Sequence, residues 1–158
     1  MHQIKPIGTI HSPYRTIGDM PIQPRGAPGV EGYVLVDEQY IAGLQDLEGF
    51  SHIYLLYRFH KAFRTELLVT PFMDQQARGV FATRSPLRPN HIGISIVQLK
   101  SVERDKIVVQ GIDILDGTPL LDIKPYMEKF DAVNKSVSGW LQASEEEIRQ
   151  KRSDNRFG

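Results

Sequence analysis

Alternation of apolar and polar side chains with a period of two constrains this chain more than any other feature. Val30, Gly32, Val34 and Val36 alternate with Glu31, Tyr33, Leu35 and Asp37, the pattern of a strand with one face in a core and the other toward water. Residues 52–60 repeat it, with Ile53, Leu55, Tyr57 and Phe59 on one side and His52, Tyr54, Leu56, Arg58 and His60 on the other. The same reading predicts strands at 4–11, 65–70, 79–83, 92–103 and 106–115. In 92–99 the apolar phase slips, as Ile92, Ile94 and Ile96 give way to Val97 and Leu99, so a β-bulge is expected near there. Asp105-Lys106 predicts a tight turn joining the two longest strands as an antiparallel hairpin. Helical patterning is scarce: a turn or two over Glu38–Leu44, and a short helix at 144–152, which opens on a serine followed by three acids. The proline- and glycine-dense stretch 17–29 predicts a long irregular loop. The expected fold is mainly β, a single-domain antiparallel β-barrel with short peripheral helices, because closure leaves no strand edge exposed. The barrel is assigned to residues 1–135, with a C-terminal extension, a short helix and a polar tail, at 136–158.

At 158 residues the chain suffices for one core without covalent staples. It has no cysteine, which excludes disulfides, thiolate nucleophiles and cysteine-ligated zinc. The 19 Lys and Arg residues balance 19 Asp and Glu, so global charge argues neither for nor against a nucleic-acid partner. Distribution says more. From Gln75 to Val102 there is no acid, while Arg78, Arg84, Arg88 and Lys100 are cationic. From Asp113 to Asp131 the balance reverses, with Asp113, Asp116, Asp122, Glu128 and Asp131 against Lys124 and Lys129. Such segments either pair with each other or line a site for a ligand bearing both charges. The histidines at 2, 11, 52, 60 and 91 lack metal-ligand spacing, so no metal is expected. No Gly-x-Gly-x-x-Gly and no Walker motif is present, which argues against a Rossmann or P-loop enzyme. The N-terminus lacks a cationic-then-apolar pattern and no run of about 18 apolar residues occurs, so a cytoplasmic, membrane-free protein is expected.

Two blocks concentrate chemistry. Residues 79–93 read Gly-Val-Phe-Ala-Thr-Arg-Ser-Pro-Leu-Arg-Pro-Asn-His-Ile-Gly. Pro86 and Pro89 fix φ and disfavour helix before them, so Arg84 and Arg88 are presented from a stiffened bend suited to a carboxylate, a phosphate or a base edge. The same block equally suits a solvated, proline-stiffened turn. Residues 111–126 read Gly-Ile-Asp-Ile-Leu-Asp-Gly-Thr-Pro-Leu-Leu-Asp-Ile-Lys-Pro-Tyr. Asp116 followed by Gly117 is a turn pattern. A turn acid accounts for Asp116 alone, but less well for Asp113, Asp116, Asp122 and Tyr126 recurring within one apolar-flanked stretch. A carboxylate among apolar side chains is costly unless paired, and a ligand ammonium or sulfonium, or Arg84, would pair it. His60, at the end of an apolar strand, is as well explained by a structural role.

Ordered motifs running from residue 4 to 131 carry a resemblance. They are Ile7-Gly-Thr-Ile-His-Ser-Pro-Tyr14, Gly43-Leu-x-Asp-Leu-Glu-Gly-Phe-Ser-His-Ile53, Phe59-His60, the 79–93 block and Asp113 to Tyr126. Together they resemble the TsaA-like family, whose characterised members are the TrmO tRNA methyltransferases. Where those members read Asn-Pro-Ile-Gly, this chain has Asn90-His91-Ile92-Gly93; longer members carry a further C-terminal domain. The resemblance implies a β-barrel enzyme that binds S-adenosylmethionine outside the Rossmann class. It implies methylation of N6 of threonylcarbamoyl-adenosine at position 37 of tRNA, by a homodimer with the cofactor near the subunit interface. It assigns the cofactor to Gln23, Pro24, Arg25, His60, Lys61, Arg84, Ile94, Asp113, Leu115, Asp116, Gly117, Thr118 and Pro119. Arg88 and Asn90 are then candidates for the tRNA substrate. An adenine N6 is a poor nucleophile, so a proton acceptor is expected, and Asp113, Asp116 and Tyr126 are the candidates. The alternative is a non-catalytic β-barrel that binds RNA or a nucleotide through the cationic 75–102 segment. Its weakness is that a pure phosphate binder gains nothing from the acids of 113–131.

Overall fold

A computed structural model describes residues 2–20, 29–72 and 74–141. The two alternating segments form strands as expected, β2 (Glu31–Val36) and β3 (His52–Arg58), with Val34, Val36, Ile53, Leu55 and Tyr57 buried. They join β1 (Gly8–His11), β6 (Ile92–Glu103), β7 (Lys106–Gln110) and β8 (Thr118–Pro125) in a closed barrel of order β1-β2-β7-β6-β3-β8. Every neighbouring pair is antiparallel. Between β3 and β6 lies a separate two-stranded ribbon, β4 (Leu68–Val69) with β5 (Arg78–Gly79). The one α-helix among the described residues, α1 (Glu128–Asp131), follows β8.

The barrel interior is filled by Ile10, Val34, Ile53, Leu55, Val97, Ile107, Val109, Ile112, Ile114 and Leu120. Burying side chains of this size contributes about 1.5–3 kcal/mol each, so this single core dominates the stability of the domain. A second, smaller cluster of Val69, Val80 and Leu87 holds the ribbon and the bend that follows it. Three close approaches require glycine: a Cβ at Gly8 would lie 2.2 Å from the carbonyl oxygen of Leu35. A Cβ at Gly32 would lie 2.7 Å from the carbonyl oxygen of His11, and one at Gly93 would lie 2.4 Å from the ring of Tyr57.

Several boundaries differ from the sequence reading. Strand 4–11 shortens to β1, and 65–70 to β4. The 79–83 segment is strand only at its start. It then turns through a 3-10 helix, Val80–Ala82, where both the amide and the hydroxyl of Thr83 donate to the carbonyl of Val80. Strand 106–115 stops at Gln110, because Gly111 takes φ +82° and redirects the chain. The hairpin turn sits one residue earlier than expected, with Arg104 at φ +53°. The expected irregularity of β6 is present, between Leu99 and Ser101 against β7, at the end of the 92–99 stretch. Strand β8 was not anticipated: Pro119 and Pro125 discourage a strand reading. Here Pro119 is only its second residue, opposite Thr9 of β1. The Glu38–Leu44 turns are 3-10 helix. The expected helix at 144–152 lies outside the described residues.

Candidate active site

The site is organised by a reversal on β6. Its apolar stripe, Ile94 and Ile96, faces outward and is 42% and 39% exposed, while Gly93, Ser95 and Val97 face the barrel interior. That outward face forms a wall of a cavity of about 1370 Å³. The loop after β3 (Phe59, His60, Lys61) and the bend after β5 (Thr83 to Arg88) close one side, and Gly111, Asp113, Leu115 and Thr118 another. His52, Gln98 and Tyr126 line its far end. Ligand sites of drug-like size run to roughly 300–1,000 Å³, so this cavity has room for a cofactor together with part of a second reactant.

The bend is rigid through its own hydrogen bonds. Arg88 Nη1 donates to the carbonyls of Thr83 (2.8 Å) and Ser85 (3.3 Å), His91 Nδ1 to that of Pro86 (2.8 Å), and the Leu87 amide to Ser85 Oγ (3.2 Å). His91 completes the return to β6 with φ +51°. Leu87 anchors the bend in the small core, and Trp140 Nε1 donates to the carbonyl of Ala82 from the segment beyond the barrel. Arg84 and Arg88 both line the cavity from this platform.

Asp113 is the chemical centre. It is only 6% exposed, and its Oδ1 accepts from Ser95 Oγ at 2.7 Å. Ser95 Oγ in turn lies 3.0 Å from the Tyr57 hydroxyl. Burial pushes the Asp113 carboxyl up to about 7, against the opposing pulls of the Ser95 hydroxyl and the Arg84 guanidinium. Burial, reinforced by the charge of Asp113, likewise raises Tyr57, which keeps its proton throughout the accessible pH range. The His60 ring is held below its ordinary value by burial and by Lys61.

Asp116 does something different. Its Oδ1 accepts from the Ser12 amide at 3.1 Å and from His11 Nδ1 at 3.2 Å, with Arg15 at 3.8 Å from Oδ2. Burial acts to raise this carboxyl, but the Ser12 amide, His11 and Arg15 outweigh it and hold it low. The Ser12 hydroxyl donates to the Ile114 carbonyl, and the Gly117 amide donates to that of Ile10. These bonds pin the 114–117 turn onto β1.

Among the described residues the cavity therefore gathers His60, Lys61, Arg84, Arg88, Ile94, Asp113, Leu115, Thr118 and Tyr126. Asp116, Gly117 and Pro119 lie on the β1 side of the turn, and Asn90 is exposed on the bend; none of these four is in the lining. Gln23, Pro24 and Arg25 fall outside the described residues. Sequence reasoning passed over Ser95, Tyr57 and the far-end pair His52 and Gln98. The alternation that put Tyr57 in phase with Ile53 and Leu55 was a signal that its hydroxyl is internal and must find a polar partner.

The placement of an acid and a guanidinium against an apolar wall suits a ligand that carries both charges and a ring. A family model described as the tRNA-methyltransferase O N-terminal domain matches residues 9–132. The chain belongs to the TrmO family. An S-adenosyl-L-methionine-binding protein of Archaeoglobus fulgidus is 44% identical over 132 residues, which are 84% of this chain and 94% of that one. The tRNA (adenine(37)-N6)-methyltransferase of Escherichia coli is 34% identical over 152 residues, 90% of this chain and 65% of the enzyme. The crystal structure of TrmO from Pseudomonas aeruginosa superposes with a TM-score of 0.76 at 39% identity, covering 90% of this chain and 62% of that chain. The chain thus spans just under two thirds of the length of these last two proteins.

Proposed function

We propose that this chain is an S-adenosylmethionine-dependent methyltransferase that acts on N6 of threonylcarbamoyl-adenosine at position 37 of tRNA. The observation that carries the reading is the cavity in which Asp113 and Arg84 meet the outward apolar face of β6. It is supported by the names of the Archaeoglobus and Escherichia coli relatives. S-adenosylmethionine has an ammonium, a carboxylate, a sulfonium and an adenine, and this wall offers a partner to each. Asp113 meets the cations, Arg84 and Lys61 meet the carboxylate, and Ile94 and Leu115 meet the ring. Gln23, Pro24, Arg25, Gly117, Thr118 and Pro119 complete the proposed cofactor set by family resemblance.

When bound, the cofactor supplies an electrophilic methyl whose new bond uses the N6 lone pair, the S–C pair remaining on sulfur as a thioether. The chain's part is to position the amine and to take its proton. Of the three candidate acceptors, Asp113 is the one we assign, because it lines the cavity with a carboxyl poised near neutrality. Asp116 is committed to β1, and Tyr126 stands at the far end, packed edge-on against His52. Arg88 is assigned to the threonyl carboxylate or a phosphate of the tRNA, with Asn90 beside it. A homodimer is part of the same proposal: Phe81, Ile94 and Ile96 leave an exposed apolar rim on this cavity that a second subunit would cover. A plain RNA-binding barrel leaves the buried Asp113 without a purpose.

The test is mass spectrometry of nucleosides from tRNA, with and without threonylcarbamoylation, after incubation with protein and S-adenosylmethionine. A methylated product only on modified tRNA is expected. Calorimetry showing no S-adenosylmethionine binding would favour the RNA-binding barrel.

A further inference from the structure

Apart from Thr118 of β8, whose hydroxyl is spent on the Leu115 carbonyl, the polar side chains of the barrel interior come one each from three elements: Tyr57 from β3, Ser95 from β6 and Asp113 from the segment after β7. Tyr57 is 5%, Ser95 1% and Asp113 6% exposed. Their contact depends on Gly93, which pairs with Tyr57 across β3 and β6 and has no side chain to hold the ring off the sheet. The phenol lies on β6 and reaches Ser95, the next inward residue, with its hydroxyl. No buried side-chain polar atom among the described residues lacks a partner.

The directions of these bonds follow from proton counting. An ionised carboxylate only accepts, so Ser95 gives its single proton to Asp113 across 2.7 Å. Ser95 then has only lone pairs for Tyr57, which donates across 3.0 Å. If Asp113 is protonated, the order can invert: the acid donates to Ser95 and Ser95 donates to Tyr57. Asp113 thus keeps its bond to Ser95 in both states through rotation of hydroxyls, with no heavy atom displaced, and in the neutral state it is the Tyr57 proton that gives up its acceptor.

We propose that Ser95 and Tyr57 are positioning residues for methyl transfer, a reversible two-hydroxyl relay that keeps Asp113 hydrogen-bonded before and after it takes the proton leaving the methylated nitrogen. This rests on the reading of Asp113 as the proton acceptor. The amine N–H bond breaks, its proton forms the O–H bond of a neutral Asp113 carboxyl, and no further reactant is consumed. Asp113 lines the cavity, so the proton leaves through the mouth after product release. The groups acting on Asp113 besides Ser95 are Arg84 from the bend and Tyr57 from β3.

The experiment follows the Asp113 carboxyl by carbon-13 NMR in protein labelled at aspartate carboxyls, the signal assigned by its loss in Asp113→Asn. In Ser95→Ala the midpoint is expected to rise by about one pH unit, because the bond Ser95 gives the charged carboxylate is stronger than the one it takes from the neutral acid, and the midpoint reads that difference. The acid limb of the kcat profile should rise with it, while the Kd for S-adenosylmethionine stays within about twofold. Tyr57→Phe keeps the ring on Gly93 and should move the midpoint the same way by less. Midpoints that coincide with the wild type in both variants overturn the proposal, and if Ser95→Ala does not fold, a coincident midpoint in Tyr57→Phe alone does so. A wild-type protein that methylates no tRNA, but whose midpoint still follows Ser95, overturns the relay's part in methylation and with it the functional reading, while supporting the hold of the hydroxyl pair on Asp113.

Discussion

At the scale of single residues, two positions show how packing and chemistry share a site. A Cβ at Gly93 would sit 2.4 Å from the Tyr57 ring and 2.8 Å from that of Phe59, with both rings fixed by the barrel wall. Gly93→Ala is therefore expected to cost about 1–3 kcal/mol, as overpacked cores do. Denaturant unfolding should show it as a lower midpoint with unchanged slope, and activity should fall further than stability because the Tyr57 hydroxyl is pushed off Ser95. Arg88 has a double role. Its bonds to the Thr83 and Ser85 carbonyls hold the bend, so Arg88→Ala should lower stability by about 1–2 kcal/mol. If it also grips the tRNA, KM for tRNA rises while the Kd for S-adenosylmethionine barely moves. An unchanged kcat/KM on modified tRNA removes Arg88 from substrate binding.

At the scale of elements, the turn between β7 and β8 is held from outside by one acid. Asp116 joins the β1 end at Ser12 and His11 and so closes the barrel where β8 meets β1. Asp116→Ala should destabilise by about 1–2 kcal/mol near neutral pH. Because the folded state holds this carboxyl below its unfolded value, its contribution is present above about pH 4 and is lost as pH falls through the folded value. Wild type and Asp116→Ala should therefore converge in stability at strongly acid pH, which thermal melts over a pH series would reveal; a gap that persists there contradicts the clamp. The same turn marks what sequence could convey. Its Asp and Gly read correctly as a turn, but the strand after it was hidden by prolines at its second and last residues. Strands β2 and β3 were legible because alternation there coincides with one solvated face. On β6 alternation misleads, since the isoleucines face the cavity and the interior takes a glycine and a serine. Only the pairing with Tyr57 gives that choice a reason, and pairing across strands is not written in either segment alone.

At the scale of the whole molecule, the barrel carries an ionisable group in its interior, and global stability must register it. The Asp113 carboxyl titrates near 3.8 when unfolded and is pushed up to about 7 by burial in the fold. The folded state thus binds this proton more tightly than the unfolded state. The sign is the reverse of a salt-bridged acid: stability is full below about pH 4, declines as pH rises toward 7, and levels off above that. A shift of this size corresponds to a few kcal/mol across the window. Asp113→Asn keeps an oxygen to accept from Ser95 and has no proton to lose, so its stability should not carry this decline. The two proteins should be near parity at pH 4, with Asp113→Asn the more stable at pH 8 and inactive in methyl transfer. Chemical denaturation at pH 4, 6 and 8 decides it, and parallel stability curves would mean that Asp113 is already ionised in the fold at pH 4 and poorly matched to accept a proton at neutrality. A more stable but inactive variant would instead show the barrel giving up stability to keep a carboxyl where the reaction needs one.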